Sequence, residues 1–192
     1  MGLVKFFGLL LSAASAQVLL DSGAPEDNLP WGSPVTTDQA LAVGFRSLSG
    51  CNVGQSIDYA NITVNTANID TKATWIALDI CPTVNNLPVC DKGSTPDRFP
   101  IHTASKRIQF QWFPSAAKKL LDDTRYWLVM TSNVVEMGQA VIWYDGRTRF
   151  GPKSDPKNDT LSAFTLSSNM DWVVDEAKDG RTVASVQIVA KV

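Results

Sequence analysis

Hydrophobic and polar residues alternate with a period of two along most of the chain after residue 38. Such alternation places apolar side chains on one face of a β-strand and polar side chains on the other, as in half-buried antiparallel strands. Segments rich in turn-forming residues separate the alternating runs. The pattern predicts an all-β protein with an antiparallel β-sandwich fold. The predicted strands lie in ALAVGF (40–45), YANITVN (59–65), ATWIALDI (73–80), RIQFQWF (107–113) and RTVASVQIVAKV (181–192).

The segment LLDDTRYWLVM (120–130) differs because both of its faces are apolar. Tyr126, Leu128 and Met130 share one face, and Trp127 and Val129 share the other. Strands that are covered on both sides have this composition. The segment is therefore predicted to be a central strand that serves the core.

The rest of the chain suggests a simple domain organisation. Residues 17–38 contain Pro25, Pro30 and Pro34 and are predicted to be an irregular lead-in. Residues 39–192 are predicted to form a single β-sandwich domain, which suits a chain of this length. The only helical candidate is SAAKKLLDD (115–123), which follows a proline.

The first 16 residues have the order of a secretory signal peptide. Lys5 gives a positive start, an apolar stretch follows, and Ala14-Ser15-Ala16 provides the small residues of a cleavage site before Gln17. The apolar stretch is shorter than the roughly 20 residues of a membrane span. The carboxyl end, SVQIVAKV, lacks the hydrophobic tail of a lipid-anchored precursor. The sequence therefore predicts a free extracellular protein without a membrane span.

The charge and the cysteine content limit the partners, disulfides and metal sites that the sequence predicts. The chain has 17 basic and 19 acidic residues without a basic cluster, which argues against nucleic acid as a partner. In an oxidising compartment, Cys81 and Cys90 are predicted to pair because the loop between them is rich in turn residues. Cys51 is then left over. Three separated cysteines and the lone His102 lack the spacing of a zinc site, so neither a metal nor a cofactor is predicted.

Two sequons fit a secreted β-protein. Asn61-Ile62-Thr63 places its asparagine on the polar face of a predicted strand, and Asn158-Asp159-Thr160 lies in a loop that contains proline. Asn61 and Asn158 are the predicted N-glycosylation sites.

The string Thr124-Arg125-Tyr126-Trp127-Leu128-Val129, preceded by IQFQWFP, resembles the choice-of-anchor R domain of secreted and surface proteins. QALAVGFRS, YANITVNTA followed by WIALDI, and AVIWYDG with its Trp143 resemble other strands of that family. The resemblance spans about residues 39–192 and implies a jelly-roll-like β-sandwich without established catalytic residues. Asp122-Asp123 and the Cys81–Cys90 loop depart from the family pattern.

The sequence does not show the residue patterns that are typical of common catalytic sites. No G-x-S-x-G motif accompanies His102, so a serine triad is not indicated. The acidic pairs Asp122-Asp123 and Asp175-Glu176 are adjacent and would point to opposite sides of an extended chain, unlike the facing carboxylates of a glycosidase. Asp155 and Asp159 lie in one loop but lack the spacing of a calcium-binding EF-hand. No catalytic residue is predicted.

Binding is the better hypothesis. Six tryptophans are present, and Trp75 shares a strand face with Asp79, opposite the aliphatic stripe. Exposed aromatic rings beside carboxylates stack on sugar rings. Trp75, Asp79 and Trp143 are therefore the candidate ligand-binding residues of a non-catalytic secreted module, whose ligand is an extracellular carbohydrate or surface polymer. Two alternatives stay open: a small secreted glycan hydrolase or lyase, and a wall or matrix component linked through Cys51.

Overall fold

The computed structural model describes residues 16–27, 30–50, 54–90, 95–167, 171–175 and 180–191. Almost all regular structure in these ranges is β-strand, with one turn of 3-10 helix at Met137–Gln139. The strands are β1 (Ala16–Asp21), β2 (Gly32–Val35), β3 (Leu41–Arg46), β4 (Gln55–Asn65), β5 (Trp75–Val84), β6 (Leu87–Pro88), β7 (Asp97–Pro100), β8 (Ile108–Trp112), β9 (Lys119–Leu120), β10 (Arg125–Ser132), β11 (Val141–Tyr144), β12 (Ser162–Thr165), β13 (Trp172–Asp175) and β14 (Val186–Lys191).

Two antiparallel sheets confirm the predicted β-sandwich. Sheet A has the order β1-β14-β4-β11-β2, with β8 and β9 also paired to β4. Sheet B has the order β13-β12-β3-β10-β5-β6, with β7 also paired to β5. The inner faces of the sheets carry the aliphatic stripes that the alternation predicts, and they enclose the main core, which includes Ile62, Trp112, Ile76, Leu78 and Ile188.

The prediction for the segment 120–130 is confirmed. Strand β10 lies between β3 and β5, with Leu128 opposite Val43 on one side and Ile80 on the other. Every residue from Tyr126 to Met130 is buried. Tyr126, Leu128 and Met130 belong to the main core, whereas Trp127 and Val129 belong to a second, smaller core.

The second core exists because sheet B curls until it is nearly a barrel. Strand β13 at one end of the sheet lies against β6 near the other end. The outward face of the sheet thereby becomes an enclosed interior, where Trp127 packs with Val129, Cys81, Ala42, Leu161 and Ala163, and with the half-buried Cys90, Trp172 and Val174. Small side chains on β3 and β12 leave room for the indole of Trp127.

Ion pairs anchor the loop that follows β11, through Asp159 to sheet B and through Asp155 to Arg181, which precedes β14. Asp159 accepts hydrogen bonds from the guanidinium groups of Arg46 and Arg125, and Asp155 accepts one from Arg181. Burial raises the pKa of Asp159, but the hydrogen bonds from Arg46 and Arg125 outweigh it, so this pKa lies below its usual value. These contacts place the backbone of Asp159 directly over Gly44 of β3.

Two predictions about local structure are wrong. The lead-in 17–38 is not irregular, since it supplies β1 and β2 to sheet A. Pro34 is accommodated because β2 is an edge strand, where a missing N–H is tolerated. The helical candidate 115–123 contains no helix, and its Lys119–Leu120 pairs with β4 instead. Leu120 is buried in the core by this pairing, and a helix in so short a segment has little stability of its own.

The predicted disulfide is confirmed between Cys81 and Cys90, whose Cα atoms lie 4.7 Å apart. It closes the hairpin of β5 and β6, where Asn85 and Asn86 both have positive φ. Cys51 and residues 1–15 of the predicted signal peptide lie outside the described residues. Within the described ranges, no helix is long and apolar enough to cross a membrane.

Candidate functional site

The structure does not bring Trp75, Asp79 and Trp143 together as a surface site. Trp143 is fully buried in the main core, where its indole N–H donates to the carbonyl oxygen of Ser185 at 3.1 Å. Asp79 is only 4% exposed, and its carboxylate pairs with Lys118 at 2.7 Å. Both predictions of ligand binding at these residues need correction. The curl of sheet B covers the strand face that looked half-exposed in the sequence.

Trp75 lies at the rim of this covered face and is half-buried. The guanidinium of Arg98 lies over its ring, 4.5 Å from the ring centroid. A cation in this position occupies one face of the indole. Trp75 is therefore a weaker platform for a sugar ring than the sequence suggested.

Trp31 is the most exposed of the six tryptophans. Its side chain is 75% exposed, whereas Trp112, Trp127 and Trp143 are fully buried, and Trp75 and Trp172 are half-buried. Tryptophan side chains are usually mostly buried, so an indole that is exposed to this extent is unusual. Trp31 lines a cleft of about 200 Å³, called here the Trp31 cleft, together with Glu26, Asp145, Gly146, Arg147, Arg149 and Thr182.

Backbone contacts fix Trp31 beside Asp145. Trp31 immediately precedes β2, Asp145 immediately follows β11, and these two strands pair. The amide of Asp145 donates to the carbonyl oxygen of Trp31 at 2.8 Å. Glycine at 32 permits this approach, because a Cβ there would lie 2.6 Å from the carbonyl oxygen of Trp143. The backbones that carry the indole and the carboxylate are thus held by the sheet and not by a free loop.

A second close contact between backbone segments shapes the cleft next to Asp145. The amide of Gly146 donates to the carbonyl oxygen of Val183 at 2.8 Å, and that of Arg147 donates to Ala24 at 3.3 Å. A Cβ at Gly146 would overlap the backbone of Ser22, so only glycine fits. This packing turns the chain so that Arg147 and Arg149 line the same cleft as Asp145.

The carboxylate of Asp145 is the less exposed of the two carboxylates that line the cleft. It is half-buried, and burial raises its pKa above the usual value for an aspartate. Among the described residues, its oxygen atoms have no hydrogen-bond or ion-pair partner. A partly desolvated carboxylate without a partner is a strong hydrogen-bond acceptor for a ligand. Perturbed groups of this kind in a cleft are typical of functional sites.

The arrangement suits a ligand with both a flat apolar face and several hydroxyl groups. The exposed indole can stack on the C–H face of a sugar ring. The carboxylates of Asp145 and Glu26 can accept hydrogen bonds from hydroxyl groups, and the guanidinium groups of Arg147 and Arg149 can donate to ring or hydroxyl oxygens. Pockets for small ligands typically combine one apolar surface with a few convergent polar groups in this way.

His102 does not lie in this cleft. It is exposed on a different groove, between Phe99, Ile101 and Phe110, and none of the described residues lining that groove is acidic. The combination of His102 with a carboxylate, which would favour a hydrolase, is therefore not present there. The acidic loop residues Asp155 and Asp159 pair with guanidinium groups, so these carboxylates serve to anchor the loop.

One group of potential metal ligands lies close together among the described residues. Oxygen and sulfur atoms of Asp79, Cys81 and Cys90 lie within 4.8 Å of one another. The two sulfur atoms are bonded to each other, so they offer no thiolate to a metal ion.

Trp31 and Asp145 were not among the predicted ligand-binding residues, because Trp31 lies in the predicted lead-in and Asp145 lies in a segment rich in turn-forming residues (144–159). A signal was present in Trp31-Gly32 and Asp145-Gly146, where glycine follows the residue that lines the cleft. Glycine often marks a close approach of two backbones. Only the pairing of β2 with β11 shows that the two dipeptides meet.

Neither a protein-family model nor a curated protein matches the chain. The resemblance to the choice-of-anchor R domain therefore stays a prediction that rests on the quoted segments alone.

Proposed function

We propose that this protein is a secreted, non-catalytic module that binds an extracellular saccharide in the Trp31 cleft. The observation that carries the proposal is the single strongly exposed tryptophan, held beside an unpartnered, half-buried carboxylate. The β-sandwich supplies a rigid frame on which both groups are fixed, as binding sites require. The resemblance to secreted and surface domains favours the same function.

Export is part of this proposal. The signal peptide predicted at residues 1–16 and the disulfide between Cys81 and Cys90 both fit an oxidising extracellular environment. The proposed glycosylation sites differ in their surroundings, since Asn158 lies exposed in a loop whereas Asn61 lies on the outer face of sheet A. Mass spectrometry of exported protein should find Gln17 as the first residue, and retention of Met1 would contradict export by cleavage.

Binding is tested with an array of neutral and uronate-containing polysaccharides. Wild-type protein should be retained by at least one saccharide class, and Trp31→Ala should weaken retention at least tenfold. Because Trp31 is mostly exposed, its truncation should leave the melting temperature nearly unchanged. Trp75→Ala is the matched control, since it removes a half-buried tryptophan that does not line the cleft and should bind normally. Equal binding by wild type and Trp31→Ala, or no binding by either, would contradict the proposal.

The hydrolase alternative has one specific observation in its favour. Glu26 and Asp145 both line the cleft, and a carboxyl group whose pKa is raised by burial can act as a general acid. The release of new reducing ends from the retained polysaccharide distinguishes the two functions. If wild-type protein releases reducing ends and both Glu26→Gln and Asp145→Asn lose this activity, the protein is a glycosidase and not a non-catalytic binding module.

A further inference from the structure

The outer face of sheet A carries a row of polar side chains across four neighbouring strands. Asp21 of β1 lies opposite Gln187 of β14, Gln187 lies opposite Asn61 of β4, and Asn61 lies opposite Gln111 of β8. These four residues are called here the amide row. They share one face because side chains opposite each other in antiparallel strands point to the same side.

Hydrogen bonds order most of the amide row. The side-chain amide of Asn61 donates to that of Gln187 at 3.1 Å, and the amide of Gln187 donates to Asp21 at 3.0 Å. A primary amide has two N–H donors and an oxygen with two acceptor sites, so one hydrogen bond in each direction leaves capacity for a ligand. The row therefore presents donors and acceptors that are already oriented.

The row borders a shallow depression of about 180 Å³. Its lining adds Thr63, Gln109 and Ser185 to Asp21, Asn61 and Gln187, and Asp21 is the only charged side chain among the described lining residues. A surface whose accessible polar groups are amides and one carboxylate, with no cation among the described lining residues, matches an uncharged ligand rich in hydroxyl groups. It does not match a phosphate or a nucleic acid, which require cationic partners.

An aromatic pair lies at one end of this surface. The rings of Tyr59 and Phe113 have centroids 6.0 Å apart, and Phe113 is 59% exposed. Tyr59 is two residues before Asn61 in β4, and Thr63 is two residues after it, so all three point to the same side of the strand. From Tyr59 to Thr63 the strand advances about 13 Å, which exceeds the length of one sugar ring.

We infer that the amide row and the Tyr59–Phe113 pair form a second saccharide-binding surface, which takes a neutral pyranose chain lying along β4. The aromatic pair supplies apolar contact with the ring faces, and the amides and Asp21 bind the hydroxyl groups. This surface is distinct from the Trp31 cleft, because the depression and the cleft share no lining residue. The inference does not depend on what the cleft binds.

The sequon at Asn61 gives this surface a further property. An N-linked glycan on Asn61 would consume one N–H of the amide that donates to Gln187 and would cover the row. The neutral chain and the glycan therefore compete for the same place. The test uses protein from the periplasm of a bacterial host that does not attach N-glycans, so that Asn61 is unmodified.

Nuclear magnetic resonance can detect each site separately. In a nitrogen–proton correlation spectrum, the side-chain amides of Asn61, Gln111 and Gln187 report on the row, and the indole N–H of Trp31 reports on the cleft. Cellohexaose, xylohexaose and laminarihexaose serve as probes. At least one should shift the amide signals of the row saturably, in wild type and in Trp31→Ala alike. If none of the three moves these signals, the inference is wrong even when the Trp31 indole responds.

Variants test whether the row itself binds. Gln187→Met combined with Gln111→Met keeps side-chain length but removes two amides, and it should weaken binding of the responding hexasaccharide at least tenfold. Gln139→Met, an exposed glutamine outside the row, is the matched control and should bind normally. Unchanged affinity in the double variant would overturn the inference. Should the double variant fail to fold, the wild-type amide shifts still decide the question.

Discussion

The outward faces of the two sheets have the same strand geometry but lie in opposite environments. On sheet A this face is open and carries Asn61, Gln187 and Gln111. On sheet B it is enclosed by the curl and carries Trp127, Val129 and the disulfide. In both sheets, the inner face is the conventional apolar one that packs against the other sheet.

The difference shows that the residues on the outward face of a strand indicate whether other parts of the chain will cover that face. Where it is amide-rich, it stays in water and is free to bind a ligand; where it is apolar, more chain must cover it. In sheet B the cover consists of β12, β13, the hairpin of β5 and β6, and the loop anchored by Asp159. Both proposed binding surfaces therefore lie on sheet A or at its rim.

The largest expected effect comes from truncating the centre of the enclosed face. Trp127→Ala removes a fully buried indole and should lower the free energy of unfolding by about 3–5 kcal/mol. Gln111→Ala is the matched truncation on the open face and should change it by less than about 0.5 kcal/mol. Urea unfolding measures both values. Similar values for the two variants would contradict the assignment of covered and open faces.

Trp75→Ala should lie between these extremes. It is half-buried at the rim and makes a cation–π contact with Arg98, a contact of about 0.5–1 kcal/mol where it is exposed to solvent. Its destabilisation should therefore be clearly smaller than that of Trp127→Ala in the same urea experiment. If Trp75→Ala were the more damaging change, the curl of sheet B would not enclose Trp127 as described.

Opening the disulfide tests how much the enclosed face depends on its covalent closure. Cys81→Ser with Cys90→Ser should lower the free energy of unfolding by about 2–3 kcal/mol, because the short loop gains freedom in the unfolded chain. The indole of Trp127 packs against Cys81, so its fluorescence should also change. A stable variant with unchanged fluorescence would show that the hairpin closes the curl without the bond.

Acid should loosen the cover of the enclosed face. The guanidinium groups of Arg46 and Arg125 hold the pKa of Asp159 below its unfolded-state value of about 3.9, against the effect of burial. Stability from this group is thus present above about pH 4 and is lost as the pH falls through the folded-state pKa. Urea unfolding between pH 2 and pH 6 should show this loss in wild type. The same slope in Asp159→Asn would assign it to other groups.

Asp145, at the open rim, should have an opposite and smaller effect on how the free energy of unfolding depends on pH. Burial raises its pKa in the folded protein, so ionisation costs stability. The free energy of unfolding should decrease as the pH rises from the unfolded-state pKa of about 3.9 to the higher folded-state pKa. Asp145→Asn should lack this decrease and should be slightly more stable than wild type at neutral pH. A variant less stable than wild type at pH 7 would mean that the carboxylate has a stabilising partner.

Much of the fold was predictable from local pattern. The aliphatic stripe of Ile76, Leu78 and Ile80 and the two apolar faces of Tyr126–Met130 gave the correct strands and the central position of β10. The turn residues between Cys81 and Cys90 gave the disulfide. The errors at 17–38 and 115–123 occurred where edge pairing to distant strands overrides weak local preference.

The candidate site was not predictable in the same way. Trp75 and Asp79 share a strand face as expected, but Asp79 is buried, and its carboxylate pairs with Lys118, which is distant in sequence. Trp31 and Asp145 meet only through the pairing of β2 with β11. No local signal marks such a meeting, because it joins segments that are far apart in the chain.

The strands, and the side chains that share a face, follow from the order of residues in the chain, because alternation reflects the geometry of a single extended segment. The short-range disulfide follows from the same local information. The enclosure of the second face of sheet B, the burial of Trp143 and the exposure of Trp31 depend instead on how distant segments pack. The reason is physical: exposure depends on which distant segment covers a surface, and that outcome is set by the packing of the whole chain.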